Sequence, residues 1–182
     1  HRGRELLGAR REREGMALAE FVTSMATSNL PTVPGTAIYL TPRPEKVPHS
    51  LLHSLKHYKC LHERVVVLEI RFANAPFVPA GRRVEVEALG GRFFRVRATF
   101  GFMDQPHLTR TLHTCASHGL VCDATESTFF LGRETILATG RSGLARWRKL
   151  LFVYMARNAR PANAFFRIPS NRVVELGAQV EI

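Results

Sequence analysis

Residues 35–72, GTAIYLTPRPEKVPHSLLHSLKHYKCLHERVVVLEIRF, decide the fold. The first seven read as a strand, with Ala37, Ile38 and Leu40 set among β-branched and aromatic neighbours. Three prolines (Pro42, Pro44 and Pro48) then break the chain as a loop over 42–48. A helix over 49–59 follows, with Leu51, Leu52 and Leu55 as its inner face. The stretch 64–72 (RVVVLEIRF) is a strand whose continuous apolar start suits burial on both faces. Strand, helix and strand make a β-α-β unit, whose crossover is expected to be right-handed.

Downstream, residues 84–98 read as a hairpin whose charges fix its register. Glu85 and Glu87 alternate with Val84, Val86 and Ala88, and Arg95 and Arg97 alternate with Phe94, Val96 and Ala98. A two-residue turn at Gly90 and Gly91 would set Glu87 against Phe94 and mix the two faces. A three-residue loop through Arg92 pairs Glu87 with Arg95, Glu85 with Arg97 and Val86 with Val96, and is the register predicted. A helix over 108–118 stopped by Gly119, a strand over 127–131 with 134–137 extending or following it, a helix over 144–159 closed before Pro161, and two short strands, 172–176 and 179–182, separated by Gly177 complete the order. Upstream, residues 4–28 read as a helix carrying Leu6, Leu7, Leu18, Phe21, Val22 and Met25, stopped by Pro31 and Pro34. The expected organisation is a charged, helical extension over 1–33 and an α/β domain over 34–182. The fold class is a mixed, mainly parallel sheet with flanking helices and one β-hairpin.

A chain of 182 residues buries roughly 70% of its unfolded surface and needs no covalent staples. The longest unbroken apolar run found, 150–156 (LLFVYMA), falls well short of the roughly 18 residues of a membrane span. No signal peptide is readable, and a start at His1 suggests an excised fragment. Cys60, Cys115 and Cys122 are an odd set without CxxC spacing, which argues for a reducing compartment. Twenty-six Lys and Arg against 15 Asp and Glu give a net charge of +11. The excess is uneven, for residues 135–174 hold no carboxylate. A positive balance of this size points to nucleic acid, an anionic membrane surface or acidic ligands.

Few constellations carry chemistry. His49, His53 and His57 recur every four residues near His62, yet zinc needs three or four converging ligands, and a partly solvated helix face accounts for the spacing. No nucleophile elbow, Walker loop or dinucleotide fingerprint occurs, so no catalytic residue, resident metal or cofactor is assigned. Asp104, Asp123 and Glu126 read as turn carboxylates. Paired aromatic residues on an RNA-binding strand are lacking, since Phe93, Phe94 and Phe100 alternate as packing residues, and no specific nucleic acid is expected. The cationic stretch 140–160 is the best interaction candidate. Arg146, Lys149 and Arg157 share one side of its expected helix, with Leu144, Trp147, Leu151, Tyr154 and Met155 on the other. Gly140, Arg141, Ser142 and Gly143 precede that helix and leave backbone N–H groups and partial positive charge free for an anion. Gly140, Arg141, Ser142, Gly143, Arg146 and Lys149 are therefore the candidate phosphate- or nucleotide-binding residues.

The segments GTAIYLT (35–41), HSLKHYKCLHERVVV (53–67), RVEVEALGGRFFRVRATFGFMDQP (83–106), TFFLGRE (128–134), WRKLLFVYMARNA (147–159) and RVVELGAQVEI (172–182), in this order, resemble the C-terminal domain of Kup-type proton-coupled potassium uptake transporters. HRGRELL at the start is similar to the stretch that follows the last transmembrane helix in that family. The resemblance implies a bacterial low-affinity-type K+:H+ symporter whose membrane part, about a dozen helices related to the inverted-repeat transporters, is absent from these residues. It implies a regulatory or assembly domain on the cytoplasmic side of the inner membrane, without transport of its own. Implied partners are that transmembrane domain, a second copy in a homodimer, and anionic lipid near Arg2, Arg4, Arg10, Arg11 and Arg13. Related importers carry universal-stress-like cytoplasmic folds that dimerise or bind nucleotides. Gly140 and Gly143 match part of their ATP-binding pattern, but Val153 stands where its later glycine falls.

Overall fold

Val65, Val66, Val67 and Leu68 are at most 1% exposed, and the fold is arranged to make that so. The computed structural model describes residues 15–123, 125–137 and 166–181. Among them run helix α1 (Leu18–Ala26), strand β1 (Thr32–Leu40), helix α2 (His49–Tyr58), strands β2 (Leu61–Ala73), β3 (Val84–Gly90) and β4 (Phe93–Gly101), helix α3 (Leu108–Thr114), and strands β5 (Thr128–Leu137) and β6 (Val173–Glu181). The six strands form one sheet in the order β3-β4-β2-β1-β5-β6. Every neighbouring pair is parallel except the β3–β4 hairpin. This is the mixed, mainly parallel α/β architecture read from the sequence.

Parallel strands need cover on both faces. One face packs Ala37, Tyr39, Val65, Val67, Phe93 and Phe130 under Leu18, Phe21 and Val22 of α1 and Leu51 of α2. The other packs Ile38, Val66, Leu68, Val96, Phe100 and Phe129 under Leu108 and Leu112 of α3. Phe21 meets Phe93 edge-on at 5.8 Å and Tyr39 stacks on Phe130 at 4.6 Å, the two favoured aromatic geometries. Burial pushes the Tyr39 phenol up to about 12, and its hydroxyl lies 3.4 Å from Ser54 Oγ.

The hairpin register is the one the charges predicted: Glu87 faces Arg95, Glu85 faces Arg97 and Val86 faces Val96. The turn differs in detail. Gly90 pairs with Phe93, and the register shifts between Ala88 and Gly90. A bulge, with Gly90 at φ 122° and Gly91 at φ 55°, supplies the offset expected of a three-residue loop.

Several boundaries move for identifiable reasons. Pro34 stops nothing: it sits inside β1, where Pro34 and Gly35 oppose Glu63 alone, and a bulge tolerates a residue without an N–H. α1 begins at Leu18, because residues 16–18 are drawn into extended pairing with the β1–α2 loop. Residues 115–118 tighten into a 3-10 turn before Gly119 at φ 83°. Gly132 and Gly177 interrupt nothing, since they pair within continuous β5 and β6, Gly132 with Leu176 and Arg133 with Gly177. On α2 the inner face is Ser50, Leu51 and Ser54. Leu55 is partly buried and Leu52 turns outward at 38% exposure. The expected helix 144–159 and residues 4–14 of the first helix lie outside the described residues.

The order of strands reverses once. From β1 the chain moves to β2 and on to the β3–β4 hairpin, then returns through α3 to place β5 on the other side of β1. The switch point lies between the carboxyl ends of β1 and β5, where open α/β sheets commonly form ligand crevices.

Leu51→Ala is expected to cost about 2–4 kcal/mol by leaving a cavity, whereas Leu52→Ala should stay within about 0.5 kcal/mol. Urea unfolding of the two variants checks the phase of α2.

Candidate interaction surface at the carboxyl edge of the sheet

Past Leu68 the β2 strand changes character, with Glu69 and Arg71 continuing the face of Val65 and Val67. Glu69 retains 8% of its side-chain exposure, and its Oε1 lies 2.8 Å from Arg71 Nε. Arg97 Nε stands 3.3 Å from Glu69 Oε2. That is an ion-pair distance without hydrogen-bond alignment, since both buried atoms lack a hydrogen bond. The Arg97 guanidinium also donates to Glu45 Oε1 at 3.3 Å and lies 3.9 Å from Glu85 Oε2. Its neighbour Arg95 donates to Glu87 at 2.9 Å and to the Pro44 carbonyl at 3.0 Å. Four elements are thereby tied: β2, β3, β4 and the loop that leaves β1. Exposed pairs such as Arg95–Glu87 add little stability, whereas Glu69 depends on its arginines.

The inbound chain is fastened to the same loop. Leu18 N–H donates to the Glu45 carbonyl at 2.8 Å, and Val47 N–H donates to the Met16 carbonyl at 3.1 Å. Ala17 and Lys46 form an antiparallel bridge. The backbone that arrives at residue 16 is therefore one loop away from Arg97 and Glu69.

A second feature of this edge is a knot between the ends of β2 and β4. Gly101 ends β4 so close to the preceding loop that a Cβ there would lie 2.3 Å from the Pro76 carbonyl oxygen. Phe102 N–H donates to the Ala75 carbonyl at 3.0 Å and Met103 N–H to that of Pro76 at 2.9 Å. Asp104 clamps the two segments. Its Oδ2 accepts from Gly101 N–H at 2.7 Å and Val78 N–H at 3.0 Å, and its Oδ1 from Arg83 at 3.1 Å. Those N–H groups and then the Arg83 charge hold the Asp104 carboxyl below the usual carboxylate range. Arg83 also caps the Val78 carbonyl at 2.8 Å and covers the Phe100 ring at 5.4 Å. From this stiff base Phe77, Phe102 and Met103 project at 62%, 62% and 61% exposure.

The residues singled out from the sequence fare differently. Gly140, Arg141, Ser142, Gly143, Arg146 and Lys149 all lie outside the described residues. On α2 the His53 and His57 rings stand 4.4 Å apart and those of His49 and His53 6.3 Å. His62 packs edge-on to Phe130 instead, and burial lowers its pKa. Among the described residues no three His, Cys, Asp or Glu side chains converge as a metal site would require. Cys115 and Cys122 are buried, and desolvation pushes the Cys115 thiol up to about 12. Asp123 is a turn residue as read, accepting from Thr125 N–H at 2.8 Å. Phe77, Phe102 and Met103 went unnoticed because periodicity does not mark apolar residues in loops. The available signal was Gly101 with Asp104 in GFMD, a turn bearing two large apolar side chains.

Comparison with known proteins agrees with the chain's own pattern. Residues 34–182 match the family described as K+ potassium transporter C-terminal domain. A probable potassium transport system protein Kup 3 of Dechloromonas aromatica is 52% identical over 179 residues, 98% of this chain and 29% of the relative. Proteins named as probable Kup potassium transport systems from Aromatoleum aromaticum and Chromobacterium violaceum are 50% and 43% identical, over 100% and 99% of this chain and 28% and 29% of their own lengths. The chain thus spans less than a third of these relatives. No solved structure matches. No helix of the described residues is long and apolar enough to cross a membrane.

Arg97→Met should destabilise the protein by roughly 2–3 kcal/mol by leaving Glu69 short of a partner, and a Glu69→Leu/Arg97→Met double variant should recover much of that loss. Denaturant midpoints of the three proteins check it. For Asp104 the depressed folded pKa fixes the sign: its contribution is complete above the unfolded carboxyl value and disappears as pH falls through the lower folded one. Asp104→Asn should therefore flatten stability against pH in the acid range, read as melting temperature from neutral pH downward. Gly101→Ala should cost about 2–4 kcal/mol by forcing the Pro76 carbonyl aside, which the same melts will show.

Proposed function

Since the chain belongs to the C-terminal domain family of K+ potassium transporters, we propose that it is the regulatory and assembly domain of a bacterial K+:H+ symporter. It sits on the cytoplasmic side of the inner membrane, as an α/β domain whose lead-in within residues 1–33 packs α1 against the sheet. It carries no ion itself and acts through contacts with the transmembrane part of its parent. The observation that supports this best is the fastening of the inbound chain to the sheet edge. A displacement arriving at Met16 acts on Glu45 and Val47 through two backbone hydrogen bonds, and through Glu45 on Arg97 and Glu69. Such a chain of packed and ion-paired groups is the route by which the displacement would be carried. Pairing with a second copy belongs to the same function, and sedimentation of the chain at high concentration would reveal it.

The decisive measurement is potassium uptake by a chimera. The matching region of the Dechloromonas aromatica relative is replaced by this chain and expressed in cells lacking other potassium importers. Uptake by the intact chimera, with a several-fold loss on Glu45→Ala/Arg97→Met at unchanged membrane abundance, is expected. Full uptake after the domain is deleted outright would remove the regulatory role.

A phosphate or nucleotide bound by Gly140, Arg141, Ser142, Gly143, Arg146 and Lys149 is a second proposal. It is favoured by the reversal of strand order between β1 and β5, together with the exit of β5 at Leu137, three positions before Gly140 in the chain. Adenine nucleotides should then raise the melting temperature in proportion to the logarithm of their concentration above Kd. No shift at millimolar nucleotide would end it.

A further inference from the structure

We propose that Phe77, Phe102 and Met103 form a preorganised tip that inserts into the headgroup region of an anionic bilayer. The three side chains issue from two loops locked together by Asp104, Arg83 and the close approach of Gly101 to Pro76. Their exposure is thus held in place by a rigid base, so little ordering entropy is lost on contact. An apolar tip on a fixed turn is what interfacial burial of aromatic side chains requires.

Charge selects the occupant. Within residues 69–85 and 101–110, Arg71 pairs with Glu69 and Arg83 with Asp104, while Glu85 faces Arg97, so the charge left over is that of Arg82 and Arg110. Arg82 and Arg110 are exposed. The surroundings of the tip are therefore positive. Cytoplasmic segments of membrane proteins are themselves rich in Lys and Arg, so the protein face of a transporter offers like charge, whereas an anionic leaflet offers the opposite. A second copy is also disfavoured. Aromatic side chains of 150–250 Å2 at this exposure present on the order of 350 Å2 in all, well under the roughly 800 Å2 per partner of a stable interface. The place of the tip agrees, since it lies at the carboxyl edge of the sheet, the edge to which the inbound chain is pinned at residues 45–47. The transporter reading enters twice, by setting the domain near a membrane and by giving the parent's cytoplasmic face its positive charge.

The test uses the 182-residue chain with vesicles of phosphatidylcholine alone or mixed with phosphatidylglycerol, at physiological ionic strength. Cosedimentation with the mixed vesicles only is expected, with a loss of about tenfold or more in partitioning for Phe77→Ser/Phe102→Ser/Met103→Ser. Unfolding midpoints of that variant confirm that it folds. Independently, Phe102→Trp in a Trp147→Phe background should shift the emission of the introduced indole to the blue on mixed vesicles, and brominated acyl chains should quench it. Equal partitioning of the folded triple variant overturns the proposal. So does bound protein in which the indole emission of the Phe102→Trp variant is unchanged, because charge alone then holds it. A dimer broken by the triple substitution, without vesicle binding, overturns it in favour of a second copy. Vesicle binding and potassium uptake are separate readouts, so failure of one leaves the other standing.

Discussion

The structure depends on burying a parallel strand on both sides. Val65 to Leu68 of β2 have no polar side chain, and their neighbours in β1 and β4 are almost equally apolar. Such a strand is stable only if helices close both faces, because either face left open would hold several large aliphatic groups in water. α1 and α2 answer on one side and α3 on the other. The positions of β1, β4 and β5 follow from the same need, since each must add its own apolar residues to both layers.

The cover is shorter than the strand, and the chemistry of the carboxyl edge follows from that. Where α1 and α2 no longer cover β2, Val65 and Val67 give way on the same face to Glu69 and Arg71. Glu69 is still nearly buried, so it requires charge, and Arg71 and Arg97 supply it. Arg97 has reach to spare and takes in Glu45 and Glu85 as well. A solvation problem at the end of one strand thereby fixes the β1–α2 loop, and the loop in turn holds the inbound backbone at residues 16–18. Sheet, loop and lead-in are thus joined by hydrogen bonds and ion pairs.

The knot beside this cluster solves a different problem. The β2–β3 connection passes so near the end of β4 that only glycine fits at 101. The Gly101 and Val78 N–H groups crowded there are both satisfied by one carboxylate, Asp104. Stiffness of this kind leaves exposed apolar side chains without the freedom to fold back onto the surface. Scattered apolar residues on a surface are ordinary, but three on two loops braced against each other make a feature with a direction.

By itself the sequence determined the β-α-β unit, the hairpin register and the double-sided burial of β2. These rest on local signals: β-branched runs, alternation, and Glu and Arg placed to pair across a turn. The same local rules mark Leu52 as core and Pro34 and Gly177 as breaks, whereas Leu52 turns outward and a bulge and a neighbouring strand hold Pro34 and Gly177 within β1 and β6. Tertiary structure alone decided that Glu69 is buried, that Glu45 from a distant loop shares Arg97 with it, and that the carbonyls of Ala75 and Pro76 meet the backbone of Phe102 and Met103. Those contacts join residues more than twenty positions apart through strand order, and neither propensity nor periodicity carries information about which strands become neighbours.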